Sequence, residues 1–313
     1  MSATPLPSSQ PIPLPLTGGG IFLRAASANE PIVVAADPSG GSSFTLRYAQ
    51  QLAHRRHGEL ILVHIVDPLL FELGAQTTSS QEQTADKEER ASLGANALAH
   101  VRSQADEDVL LSAVLGTARR KHAQLVVIGT RGHSSGARAA LGKVARQLLM
   151  DSPCPVLVIG HEVEAALQQA GSWRRVLAAT DFSAATVTAL RLAHSLAGEE
   201  LIALHCAVCG NTSVCPNCLE RLRMLAPFNE AHTVPVRHIV ECGEPADAII
   251  EYAHTLHVDL VVLGPPALAQ SDPRKPASST VCQVVEEVDC PVLLVPQSAA
   301  SAPPQSGYTV VLT

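Results

Sequence analysis

Short apolar runs recur along the chain, each followed by an amphipathic stretch of helical length. Pro31–Asp37 reads PIVVAAD, a continuous run of the kind buried on both faces of a parallel sheet. A PSGGSS turn follows, then an amphipathic helix over about 44–57 and an apolar strand at Glu59–Pro68. Residues 76–88 are polar and are expected to be mobile, merging into a helix that ends near His100. Strand three is expected to start near Val101 and to be short or frayed, because VRSQADED is poorly apolar. A helix near 109–122 then leads into LVVIG at Leu125–Gly129, and a helix over Lys143–Met150 precedes CPVLVIG.

The same order returns after a linker at Glu164–Ser172. A strand ending at Asp181, a helix over Ala184–Ala197 and the strand ELIALHC come first. A helix near Leu219–Leu225, the strand VRHIVE and a helix over Ala246–His257 follow. DLVVLG and CPVLLV close the unit. Leu125–Gly160 and Leu260–Pro296 are degenerate copies: each opens with a strand ending in glycine and closes on Cys-Pro-Val-Leu. Laying Gly129 on Gly264 puts Val101-Arg102 on Val236-Arg237 without a gap. Strands alternating with helices predict an α/β chain of two doubly wound parallel-sheet domains in tandem, with right-handed crossovers. The boundaries expected are a flexible Pro-rich tail over 1–29, domain 1 over 30–163, a linker over 164–172, domain 2 over 173–298 and a C-terminal tail over 299–313. The two domains are expected to pack through their last strands as an intramolecular pseudo-dimer, with a homodimer left open.

Composition narrows the function. Of 313 residues 46% are hydrophobic but only 3% aromatic, so the cores are built from Val, Leu, Ile and Ala. A formal charge of −7 without basic tracts argues against a nucleic-acid partner, whose phosphates need clustered Lys and Arg. No apolar run approaches the roughly 20 residues that span a bilayer, and the N-terminus shows no charged or apolar signal region. A soluble, cytoplasmic protein is the expectation.

The candidate chemistry starts at the strand ends, where ligands bind on such sheets. Gly129-x2-Gly132-x9-Gly142 has the spacing with which a backbone wraps a phosphate chain. Asp37, Val66 and Gly129 close the first, second and fourth strands, and Pro-Val precedes the last. These residues resemble the universal stress protein family in a tandem form, over about Pro31–Gly160 and Arg174–Pro296. The resemblance implies an adenine-nucleotide alpha hydrolase type of fold and a site for ATP or another adenine nucleotide. Asp37 and the backbone at Val66 would hold the base, while Gly129, Gly132, Gly142, Lys143 and Val144 would take the phosphates. Lys143 departs from the family's Ser or Thr, and either pairs with a phosphate as a point charge or fills the site. The second copy keeps Asp181, but Pro265-Pro266 follows its glycine and removes N–H donors, so no ordinary ATP site is expected there.

Cys206-x2-Cys209-x5-Cys215-x2-Cys218 is two C-x2-C pairs and lies outside the family's pattern. Two such knuckles complete a tetrahedron, so a structural zinc ion in domain 2 is the expectation, with an Fe–S cluster or redox dithiols as alternatives. Ser39-Gly40-Gly41-Ser42-Ser43 also resembles the loop of PP-loop ATP pyrophosphatases, although Ser43 stands where their Asp would be. The reading is therefore a nucleotide-binding module acting in stress response or signalling, with at most slow ATP hydrolysis. The alternatives are a PP-loop-like pyrophosphatase and a nucleotide-free metal or redox sensor that acts through a partner.

Overall fold

The computed structural model describes residues 31–36, 43–66, 98–102, 107–130, 147–148, 151–160, 164–207, 216–227, 234–264 and 279–296. Its first half comprises β1 (Ile32–Ala36), α1 (Ser43–Arg56), β2 (Leu60–Val66), β3 (Leu98–Arg102), α2 (Glu107–Arg120), β4 (Leu125–Gly129) and β5 (Val156–Ile159). A short α3 (Glu164–Gln168) leads into β6 (Arg175–Ala179), α4 (Ala184–Leu196), β7 (Glu200–Ala207), α5 (Pro216–Leu225), β8 (Val236–Cys242), α6 (Pro245–Thr255), β9 (Leu260–Leu263), α7 (Ser279–Glu287) and β10 (Val292–Leu294).

All ten strands form one sheet in the order β3-β2-β1-β4-β5-β10-β9-β6-β7-β8. Within each half every pairing is parallel. The halves join through β5 and β10, which run antiparallel with Leu293 opposite Leu157. Packing through the last strands is thus what the structure shows.

Alternation along the strands divides the core into two layers. Ile32, Val34, Leu62 and Val127 share one with Tyr48 and Leu52 of α1, and it continues through Ala178, Ala203, Leu190 and Leu222. Val33, Ile61, Val63 and Val126 face the other with Val114 of α2, continuing to Leu204, Ile249 and Val284. Helices α1, α4 and α5 therefore cover one face, and α2, α6 and α7 the other.

Three expectations need correction. Strand three begins at Leu98, so no helix reaches His100. Because Ala35 pairs with Val63 and Ala179 with Leu204, His64 matches His205; His100 then matches Val240 and Val101 matches Glu241. The gapless placement of Val101 on Val236 is five residues out, although Gly129 on Gly264 holds. The segment expected as a linker, Glu164–Ser172, carries α3 and the buried Ala170, and beyond it the buried Trp173 donates from Nε1 to Tyr48 Oη at 3.1 Å. Finally, α5 starts at Pro216 rather than near Leu219, because proline's fixed φ and missing N–H suit the first helical turn. The helix expected over Lys143–Met150 is described only at Gln147–Leu148.

Candidate functional site

In the first half the chain steps from β1 outward to β2 and β3, then returns to place β4 on the other side of β1. This reversal opens a crevice beyond the C-terminal ends of β1 and β4. Gly129 ends β4 at the crevice, and the backbone of Val66 ends β2 beside it. Asp37 follows β1 directly in sequence, but it lies outside the described residues, as do Gly132, Gly142, Lys143 and Val144. Thr130 continues the wall: its N–H donates to Ile159 O, and its Oγ1 donates to Gly160 O at 3.1 Å.

Gly129 has a packing reason of its own. A Cβ built on it would meet Thr45 Oγ1 of α1 at 2.7 Å, so the helix lies almost on the strand backbone. Gly264 repeats the relation with Thr186 of α4, where Cγ2 would be 2.7 Å and Cα 3.1 Å away. Sequence reading missed both threonines. The signal was obscured by the PSGGSS turn, which puts Thr45 eight residues after Asp37 while Thr186 comes five after Asp181.

The second mouth is described in more detail. Asp181 Oδ1 accepts Ser183 N at 2.8 Å and Thr186 Oγ1 at 2.8 Å, and Ser183 caps α4 by accepting from Thr186 N. Burial alone would push the Asp181 carboxyl up, but the Ser183 and Thr186 hydrogen bonds outweigh it and hold it below the usual range. Asp181 is thus engaged in the turn that leads into α4, while Ser183 is the cap. Phe182 adopts the left-handed backbone, at φ 66°, and its ring lies 4.0 Å from His205 with Arg221 of α5 4.5 Å over it. His205 Nδ1 lies 2.8 Å from Thr180 O; a carbonyl only accepts, so Nδ1 carries the proton.

Two of the four thiols of the C-x2-C pairs, Cys206 and Cys218, lie among the described residues. Cys206 pairs in register with Glu241 and packs with the α6 layer, where Tyr252 Oη donates to Glu241 Oε2 at 2.8 Å. Burial, and secondarily the Glu241 charge, push its thiol up to about 11. Cys218 sits in the first turn of α5, four residues before the buried Leu222 and so on the helix side turned to the opposite layer. The two described members of the zinc set therefore face different sides of the sheet, and Cys209 and Cys215 lie outside the described residues. Among the described residues no group of three His, Cys, Asp or Glu is placed to hold a metal ion. Cys242 is exposed at the end of β8, opposite Ala207, and is disulfide-bonded.

The family model described as the universal stress protein family matches residues 28–160 and 217–296, more than half of the chain. The chain belongs to the universal stress protein family. The second match begins at residue 217, so Cys206, Cys209 and Cys215 lie outside the matched residues and Cys218 inside them. This universal stress protein is 30% identical over 141 residues to one from Methanocaldococcus jannaschii, a stretch covering 41% of this chain and 80% of that protein. It is 28% identical over 135 residues to one from Thermus aquaticus, covering 41% of this chain and 96% of that one. A universal stress protein structure from Archaeoglobus fulgidus superimposes with a TM-score of 0.63 at 18% identity, covering 85% of this chain and 98% of that one. A structure of a Pseudomonas aeruginosa protein described as a putative universal stress protein gives 0.57 at 15% identity, covering 87% and 95%. These two share the tandem fold with this chain. Among the described residues no helix is long and apolar enough to cross a membrane.

Proposed function

We propose that this tandem universal stress protein is a binding module whose first domain, over 30–163, holds ATP or another adenine nucleotide. Its second domain, over 173–298, serves as a modified scaffold. One observation carries the reading: the strand order reverses at β1, and the crevice beside it ends in Gly129, which opens the sequence Gly129-x2-Gly132-x9-Gly142. Asp37 and the Val66 backbone would take the base, and the N–H groups of the glycine segment through Lys143 and Val144 the phosphates. The second half has the same strand order, but its Asp181 is engaged by Ser183 and Thr186 at the start of α4, and prolines follow Gly264. Binding rather than turnover is the proposed activity, in a stress-response or signalling role. The zinc ion expected from the cysteine spacing is not part of this proposal, given the opposed placement of Cys206 and Cys218.

The test is titration of the full chain with ATP, followed by calorimetry and by native mass spectrometry of the complex. One nucleotide per chain is expected, with a loss of tenfold or more in Asp37→Ala. Two equivalent nucleotides per chain, or no heat and no mass shift at millimolar ATP, would overturn it.

A further inference from the structure

Three places stand out beyond the proposed nucleotide site: the Phe182–His205–Arg221 stack, the Cys206–Glu241–Tyr252 group, and the outer edge of β8. The first has both faces of its aromatic ring covered, by His205 and by Arg221, and leaves a ligand no surface to stack on. In the second, Glu241 already accepts from Tyr252, so it is engaged within the fold. The third is a seven-residue strand at one end of the sheet. It pairs with β7 on one side, and among the described residues no strand lies on the other.

The ladder fixes which backbone groups of β8 face outward. Leu201 N donates to Pro235 O at 2.9 Å, and Leu201 stands in register with Val236. In a parallel ladder a residue sends its N–H and its C=O to the same side, and successive residues alternate. Arg237, Ile239 and Glu241 are therefore turned to β7, while Val236, His238 and Val240 present both groups to the open edge. Among the described residues those outward groups have no hydrogen-bond partner. Edge strands are commonly guarded by charges, prolines or bulges. Here Arg237 Nε is drawn to Glu200 Oε1 of β7 at 2.8 Å, and Glu241 is held by Tyr252 of α6. Pro235 lacks its N–H on the β7 side, and the register from Val236 to Cys242 runs without a bulge. Val236, Ile239 and Val240 are only half-buried, whereas the apolar residues of β9 are fully covered. The guards are missing from this edge.

We propose that β8 docks on β8 of a second copy of this chain, antiparallel about a two-fold axis at His238. This axis sets Val236 opposite Val240 of the second copy and His238 opposite its own counterpart. Each outward N–H then meets a carbonyl, and each outward carbonyl an N–H. The side chains agree: Val236 and Val240 both pack on the layer that α5 covers, so the new pairs are valine on valine. His238 Nε2 lies 2.7 Å from Ala226 O, which anchors the ring to its own subunit. The fold already uses such a join once, where β5 and β10, the last strands of the two halves, run antiparallel. A second copy also brings a strand that is already ordered, and so avoids the entropy of fixing a loose peptide. Each copy carries a formal charge of −7, so added salt should strengthen the contact by screening repulsion. The inference is independent of nucleotide binding in the first domain.

The test is sedimentation of the full chain from low to high micromolar concentration, with and without dithiothreitol, together with hydrogen exchange of its amides. A dimer is expected at the high end under both conditions. In it the amides of Val236, His238 and Val240 should exchange more slowly than in the dilute monomer, by about tenfold or more. Those of Arg237, Ile239 and Glu241 should not change, because β7 holds them in both states. Val240→Pro removes an outward N–H and leaves the β7 ladder whole, so it should fold and remain monomeric. If that variant does not fold, the amide comparison in the unmodified protein decides alone. A monomer at every concentration would overturn the proposal, as would a dimer whose outward β8 amides exchange as fast as in the monomer. So would a dimer that dithiothreitol dissolves, or one that persists in folded Val240→Pro.

Discussion

Thr45 of α1 approaches Gly129 of β4 so closely that a Cβ on the glycine would stand 2.7 Å from the threonine Oγ1. Thr186 and Gly264 repeat the contact in the second half. The glycine that opens the phosphate pattern is thus required twice by helix packing, including in the half where prolines follow it. The proposed nucleotide binding therefore rests on the crevice and on the other glycines of the motif, not on Gly129 alone.

The two contacts predict different rescue. Gly129→Ala should cost about 1–3 kcal/mol in urea denaturation, the range for forcing a methyl into a filled space. Among the described residues its near contacts come from the Thr45 side chain, so Thr45→Ala should recover most of that loss in the double variant. Gly264→Ala also meets the Cα of Thr186 at 3.1 Å, so Thr186→Ala should recover much less. Equal rescue in both halves would contradict the packing account.

Gly160→Ala should weaken the join between the halves. Its Cβ would fall 2.5 Å from Val285 O, a backbone atom that no side-chain substitution removes. A loss of about 1–3 kcal/mol is expected, read as a lower urea midpoint for both halves together. A midpoint unchanged from the parent would show that the backbone yields there without cost.

Tyr48→Phe leaves the buried Trp173 Nε1 without its acceptor and should cost about 1–3 kcal/mol. Trp173→Phe with Tyr48→Phe removes both polar atoms, and a cycle of the two should show coupling. Additive effects in the urea midpoints would mean the bond contributes nothing.

Asp181 sets an acid limb. Its folded pKa is below the unfolded value, so its contribution is complete above the ordinary carboxylate range and is lost as pH falls through the folded pKa. Asp181→Asn keeps an acceptor oxygen but no charge. The variant should be less stable than the parent near neutrality, and the two should converge in acid. Parallel stability curves from pH 7 down to pH 2 would refute this.

The fold was open to sequence reading where burial on both faces writes an uninterrupted apolar run, as in LVVIG and LVVLG. It was hidden at the edge: β3 carries LAHVR, whose apolar pattern is too weak to fix its start, and the five-residue offset against β8 followed from that. The short α3 looked like a linker because its anchor, Trp173, bonds to a tyrosine 125 residues earlier. Cysteine spacing leaves the strand face open. Spacing says which thiols are near in sequence, but a one-residue step on a strand changes face, and Cys206 is directed away from the side that Cys242 shares with α5.

The single antiparallel seam between β5 and β10 has a further consequence. It turns the two halves head to tail, so their strand C-termini leave the sheet at opposite rims. Nothing held at one rim can touch anything held at the other, and each was free to change without blocking its twin. Anything that couples the two rims has to run the full length of the strands, through the two apolar layers the halves have in common.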